Sequence, residues 1–222
     1  MVASRSLRFY FDFISPYAYI GWHRFKGLAK RHELELEPVP VLFAVFLNTF
    51  GQKGPAEIEP KRLYTFKHVM RLGYEFGLPL LPPPAHPFNP LLALRVAEAA
   101  EPEQKADVLD ILFHCTWGSG EGVTEPEAVA AALESAGLPG KALVVAAGTS
   151  PVKERLRINT EQAMARGVFG VPSIEIDGEV FWGQDSFYHV DCFIHGDDPL
   201  HPQLIERFEK LPAGSVRKPP AR

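Results

Sequence analysis

Two short stretches of the 222-residue chain place residue types where they could do chemistry. The first is Ser15-Pro16, between an apolar run and a helical pattern. Serine there suits the N-cap and proline the first helical position. Its hydroxyl would sit among backbone amides that lack intrahelical acceptors and favour an anion. Serine is also a preferred cap with no other role, so the local sequence leaves both readings open. The second stretch is Val171-Pro172, with the proline leading into a strand pattern, a place where proline is structurally tolerated. Other constellations carry less. Cys115 and Cys192 form no C-x-x-C, no zinc-type spacing and no disulfide framework, and both read as small buried hydrophobes. His189, Cys192, His195 and Asp197 crowd into one stretch but align only partly on a helix, and no metal is expected. Glu57 and Glu59 read as charges ahead of and within a first helical turn.

Composition bounds the rest. Lys+Arg 23 against Asp+Glu 27 gives a net charge of −4, and 46% of residues are hydrophobic. Such a chain can bury a core and is not disordered. A pI near 6.1 and the lack of a basic run offer nucleic acid no footprint. The N-terminal residues are broken by Asp12 and form neither a signal peptide nor a membrane span, so a cytoplasmic, reducing setting is expected.

The elements that must position Ser15 and Pro172 follow from periodicity. Residues 7–14 alternate, with Leu7, Phe9, Phe11 and Phe13 on one face, and predict a strand. A helix follows to about Arg31, then a second strand over 33–41, making a right-handed βαβ unit. Helical patterns occupy 59–76, 88–100, 102–116, 125–135 and 152–166. The proline-rich 81–90 can be neither helix nor central strand and reads as a rigid connection. Strands at 173–176 and 179–182 flank Asp177-Gly178, a strong hairpin signal, and Gly183 to Ser186 leads into a last helix.

The order is β-α-β, a helical block, then β-β-α. This is an α/β plan of thioredoxin type with a large all-helical insertion. Residues 1–42 and 167–215 would form the thioredoxin-like part, 43–166 the insertion and 216–222 a flexible basic tail. In that plan the chemistry sits at the first strand–helix junction. Here the junction reads Ser15-Pro16-Tyr17-Ala18, which contains no sulfur and excludes dithiol exchange. The plan also makes Pro172 cis, leaving the backbone of Val171 available to an extended peptide.

Several motifs then match in order. The opening FYFDFISPYAY, the segment GVFGVP ending at Pro172 and FWGQD ending at Asp185 are joined by GQKGP, HPFN and NTEQA. Together they resemble the 2-hydroxychromene-2-carboxylate isomerases, which are similar to kappa-class glutathione transferases and share a DsbA-like fold. The resemblance spans about residues 7–195. It implies that Ser15 hydrogen-bonds the sulfur of glutathione, with Pro16 and Tyr17 completing the loop beneath it. It implies that Val171, beside Pro172, pairs with the cysteinyl backbone, and that Gln184 and Asp185 hold the γ-glutamyl end. It places Gln52 and Lys61 near the glycine end. The family commonly has Asn or Ser at 184, Arg at 186 and Asn at 52, where this chain has Gln184, Ser186 and Gln52.

The implied activity is isomerisation of 2-hydroxychromene-2-carboxylate, or a related aromatic compound, to the benzylidenepyruvate by transient thiol addition, in aromatic degradation. Phe43, Phe46, Phe88 and Trp182 are candidates for an apolar wall, and a homodimer is implied. A free thiol with pKa about 8.5 is only about 3% ionised at pH 7. Lowering that pKa by two units needs about 2.7 kcal/mol. A charge-assisted hydrogen bond of roughly 1.5–3 kcal/mol plus a helix terminus at roughly 0.3–1 suffices. The alternatives are a kappa-like transferase or peroxidase, and a non-catalytic thioredoxin-like binding module.

Overall fold

The computed structural model describes residues 5–215. The chain divides into two units, Met1–Phe187 and Tyr188–Arg222. The boundary falls inside the segment 167–215 that the sequence groups together, and the tail 216–222 lies outside the described residues.

In the first unit, β1 (Ser6–Phe11) pairs in parallel with β2 (Glu35–Pro40) after helix α1 (Pro16–Arg31). β3 (Ser173–Ile176) pairs antiparallel with β1, and β4 (Glu179–Trp182) antiparallel with β3, giving the order β2-β1-β3-β4. β2 is an edge strand, which is why it accommodates Pro38 and Pro40. The hairpin turns at Asp177 (φ 52°) and Gly178 (φ 87°), the paired left-handed residues of a type I′ turn. Strand alternation divides the core. Leu7, Phe9 and Phe11, with Phe13, are fully buried, Phe9 lying 5.6 Å from Trp22 and 6.3 Å from Phe25 of α1. A second cluster contains Tyr10, Val41, Phe46, Ala163, Val168 and Val171.

Between the half-sheets run α2 (Phe43–Thr49), α3 (Glu59–Phe76), α4 (Leu91–Ala99), α5 (Pro102–Phe113), α6 (Pro126–Ser135), α7 (Gly140–Ala147) and α8 (Ser150–Ala165). Periodicity predicted five of these seven. The short α2 and α7 were not anticipated, and at seven and eight residues each offers barely two turns of pattern. The helix expected over 102–116 ends at Phe113 and widens into a π turn, His114–Gly118. Gly118 permits it, since the His114 ring fills the space a Cβ there would need.

The second unit contains most of α9 (Phe187–His195) and α10 (Pro202–Glu209), the latter with Leu204, Ile205 and Phe208 exposed. The expected last helix is thus followed by another. Cys115 is buried as expected, but Cys192 is only half-buried, on a helix, α9, whose buried residue is Val190. No helix of the described residues is long and apolar enough to cross a membrane. A β-α-β half and a β-β-α half sharing one mixed sheet, with helices between, is the thioredoxin-like arrangement the sequence predicts.

Candidate active site at the first helix N-terminus

Ser15 is the N-cap of α1, with φ −93° and ψ 114°, and Pro16 occupies the first turn. Its Oγ accepts the Ala18 N–H at 3.2 Å, and its carbonyl oxygen accepts the same N–H at 3.0 Å. Capping uses a lone pair and leaves the hydroxyl proton without an acceptor among the described residues. The Tyr17 N–H likewise has no acceptor among them. Both functions of Ser15, cap and available donor, therefore coexist in one geometry.

The loop before Ser15 is fixed from several directions. Asp12, 1% exposed, accepts the Ile14 N–H at 3.0 Å on Oδ1 and the Phe43 N–H at 3.1 Å on Oδ2. It thereby caps α2, which has no side-chain cap of its own. Burial pushes the Asp12 carboxyl up to about 7, against the downward pull of its two amide donors. Trp117 Nε1 donates to the Phe13 carbonyl at 2.8 Å, and His86 Nε2 pairs with the Ile14 carbonyl at 3.0 Å. A carbonyl only accepts, so His86 must carry its proton on Nε2, leaving a buried Nδ1 without a partner. Burial lowers the His86 pKa.

Tyr17 is half-buried, its hydroxyl 2.8 Å from His68 Nδ1, and burial raises its pKa. The Val171-Pro172 bond is cis, and the Pro172 ring packs on α1, its Cγ 3.3 Å from the position a Cβ on Gly21 would take. Neither the N–H nor the C=O of Val171 has a partner among the described residues. The next carbonyl, that of Pro172, accepts the Gly183 N–H at 2.9 Å. That bond ties the turn after β4 to the Val171-Pro172 bond. Gly183 has φ 94° and leaves room for the Asp185 carboxylate where a side chain would stand. Asp185 is exposed, whereas Gln184 is only 4% exposed. Arg24 of α1 donates from one nitrogen to the Gln184 carbonyl oxygen at 2.7 Å and to Oε1 at 2.6 Å.

The structure thus sets Ser15, Pro16 and Tyr17 at the start of α1 and packs Pro172, next to Val171, on Gly21 of that helix. It ties Gln184 to Arg24 of α1 and brings Asp185 near enough to Tyr17 for its charge to be felt there. Gln52 and Lys61 are exposed on the α2–α3 connection and in the first turn of α3. No hydrogen bond joins them to the others among the described residues. Of the wall candidates, Phe46 is core, fully buried with Tyr10 and Val171, and Phe43 packs on that cluster. Phe88 lies 6.3 Å from the His86 ring, and Trp182 is exposed over Phe169. Sequence reasoning did not find Asp12, Arg24, His68 or Trp117. Asp12 and His86 fell within noted motifs without being given a role, and the others left no signal, since contacts across many residues leave no local pattern.

The model of the DSBA-like thioredoxin domain matches residues 6–193. A 2-hydroxychromene-2-carboxylate isomerase of Sphingobium xenophagum is 25% identical over 193 residues, 86% of this chain and 98% of its own. Glutathione S-transferase kappa 1 of Rattus norvegicus is 26% identical, covering 81% of this chain and 85% of its own. Among solved structures, a 2-hydroxychromene-2-carboxylate isomerase superposes with TM-score 0.79 at 23% identity, covering 93% of this chain and 99% of the other. The cytosolic disulfide reductase DsbM of Pseudomonas aeruginosa with GSH superposes with TM-score 0.61 at 13% identity, covering 93% and 100%.

Proposed function

The chain belongs to the DSBA-like thioredoxin domain family, and from that premise we propose that it is a glutathione-dependent isomerase. Its substrate is 2-hydroxychromene-2-carboxylate or a related aromatic compound, converted to the trans-benzylidenepyruvate. What supports this reading is a Ser15 hydroxyl whose proton has no acceptor among the described residues, on the same helix α1 that the ring of the cis-bonded Pro172 packs against. The sequence of that strand–helix junction, Ser15-Pro16-Tyr17-Ala18, holds no cysteine.

The residues present fit glutathione by their donor set. Ser15 offers a hydroxyl proton to a sulfur anion, and Val171 an N–H and a C=O to a peptide unit. Asp185 offers an exposed carboxylate to an ammonium group. Bound glutathione would supply a sulfur nucleophile that adds to the substrate and leaves again, so that it is returned unchanged. The chain's own part is to hold that sulfur in its anionic form. A charge-assisted bond from Ser15, at roughly 1.5–3 kcal/mol, acts with the open Tyr17 N–H at the positive end of α1. Tyr17 keeps its proton at neutral pH, because burial raises its pKa. Gln52 and Lys61 complete the reading at the glycine end, Lys61 facing the carboxylate. A cytoplasmic homodimer follows from the same resemblance.

The test is a calorimetric titration with glutathione, followed by turnover of the chromene carboxylate with and without it. Binding and glutathione-dependent turnover at constant glutathione are expected, and absence of binding would overturn the proposal. The kappa transferase relatives are as similar as the isomerases, at 26% against 25% identity, which favours a second reading as a transferase. Net consumption of glutathione during turnover would establish that reading instead.

A further inference from the structure

Arg24 lies on α1, nine residues after Ser15, and is tied to Gln184. Its guanidinium carbon lies 4.4 Å from the Phe76 ring centroid and 4.5 Å from that of Phe187. The two aromatic faces fix the cation in place. From there one nitrogen donates to both oxygens of Gln184, the main-chain carbonyl at 2.7 Å and the side-chain Oε1 at 2.6 Å.

A guanidinium has donors and no acceptor. Whichever way an amide is drawn, its oxygen must therefore face Arg24 and its NH2 must face away. The NH2 has no partner among the described residues. Gln184 is thereby converted from a group that can donate or accept into one that only donates. The next residue, Asp185, presents an exposed carboxylate that only accepts. A donor beside an anion matches the two charges of an α-amino acid, its carboxylate and its ammonium. A neutral amide could meet the same donor and acceptor, but without the charge that an ammonium brings to Asp185.

Resting on the glutathione reading above, we infer that Arg24 is a positioning residue that sets the γ-glutamyl specificity of the site by locking the Gln184 amide with its NH2 toward the ligand. Ser186, on the same turn, has its hydroxyl turned inward to the Gly183 carbonyl at 2.7 Å. The guanidinium near this turn comes from α1.

The experiment measures binding of two probes to the full chain by calorimetry: glutathione, and cysteinylglycine, which lacks the γ-glutamyl unit. Arg24→Met is expected to weaken glutathione about tenfold or more, the size of one hydrogen bond to a charged group, and to leave cysteinylglycine unchanged. The double variant with Gln184→Ala is expected to bind glutathione no more weakly than Gln184→Ala alone, because Arg24 acts through that side chain. Equal weakening of both probes, an unchanged glutathione affinity, or fully multiplicative losses in the double variant would overturn the inference. Should Arg24→Met not fold by circular dichroism, Gln184→Ala and Arg24→Lys carry the test. Gln184→Ala must weaken glutathione alone, and Arg24→Lys must bind glutathione more tightly than Gln184→Ala. Failure of the wild-type chain to bind glutathione would instead overturn the functional reading itself, and this inference with it.

Discussion

Asp12 should make the protein less stable as pH rises through neutrality, and Asp12→Asn should remove that dependence. The carboxyl is 1% exposed, and its folded-state pKa is pushed from 3.8 to about 7 by burial. The folded chain therefore holds this proton more tightly than the unfolded chain does. Stability from this source is fully present below pH 3.8 and is lost as pH climbs to about 7. Between pH 5 and pH 8 the shift corresponds to a loss of roughly 2.6 kcal/mol. Urea unfolding of wild type and Asp12→Asn at both pH values isolates the group, since the 8 histidines are common to both and cancel. The asparagine keeps one acceptor for the Ile14 N–H and carries no charge to titrate. The wild type should lose about 2–3 kcal/mol more than the variant on going from pH 5 to pH 8. Parallel behaviour of the two proteins would refute the argument, because it would mean that the amides of Ile14 and Phe43 fully offset burial.

Other consequences follow from the same geometry. Ser15→Ala removes the donor, so the thiolate absorbance of bound glutathione near 240 nm (roughly, a generic thiolate property) should titrate at higher pH. An unchanged titration would remove Ser15 from its role. The same variant loses a helix cap and should cost about 0.5–2 kcal/mol by urea unfolding. Trp117→Phe leaves the Phe13 carbonyl without its donor and should cost about 1–3 kcal/mol, with a smaller loss weakening the assigned bond. Gly140→Ala forces a Cβ into the Ala130 carbonyl, where α6 meets α7. A loss of about 1–3 kcal/mol is expected, and an unchanged melting profile would refute that packing.

The sheet was legible in the sequence because its signals are local. Leu7, Phe9 and Phe11 alternate, and Asp177-Gly178 supplies two residues that tolerate positive φ. Ser15-Pro16 and Val171-Pro172 were legible for the same reason, since cap and proline chemistry act within a few residues. The supports of the corner were not. Trp117 reaches Phe13 across 104 positions and Arg24 reaches Gln184 across 160, and neither carries a local pattern. Phe46 illustrates the opposite error: an aromatic two turns after a strand reads equally as ligand wall or core, and here it is core. Residues 33–41 read as a strand from their alternation, and the place of β2 at the sheet edge is what lets it carry Pro38 and Pro40.

On the proposed reading, a corner that is to bind an anion without a thiol of its own needs its donors exposed and its nearby acceptors occupied. Bare carbonyls at Phe13 and Ile14 would repel a sulfur anion and compete for the Ser15 hydroxyl. Trp117 Nε1 and His86 Nε2 occupy both. Asp12 turns its charge to the amides of Ile14 and Phe43. What remains open beside Ser15 is its own hydroxyl proton and the Tyr17 N–H. His86 comes from the proline-rich connection between α3 and α4, and Trp117 from the π turn after α5, both between the half-sheets. The inserted segment therefore does more than cover the sheet: it supplies donors to the two carbonyls just before the thioredoxin-like helix. That explains how one serine can serve as cap and donor together. The cap uses its lone pair, the neighbouring carbonyls each already hold a donor, and the proton has no acceptor among the described residues, which leaves it for the ligand of the proposed function.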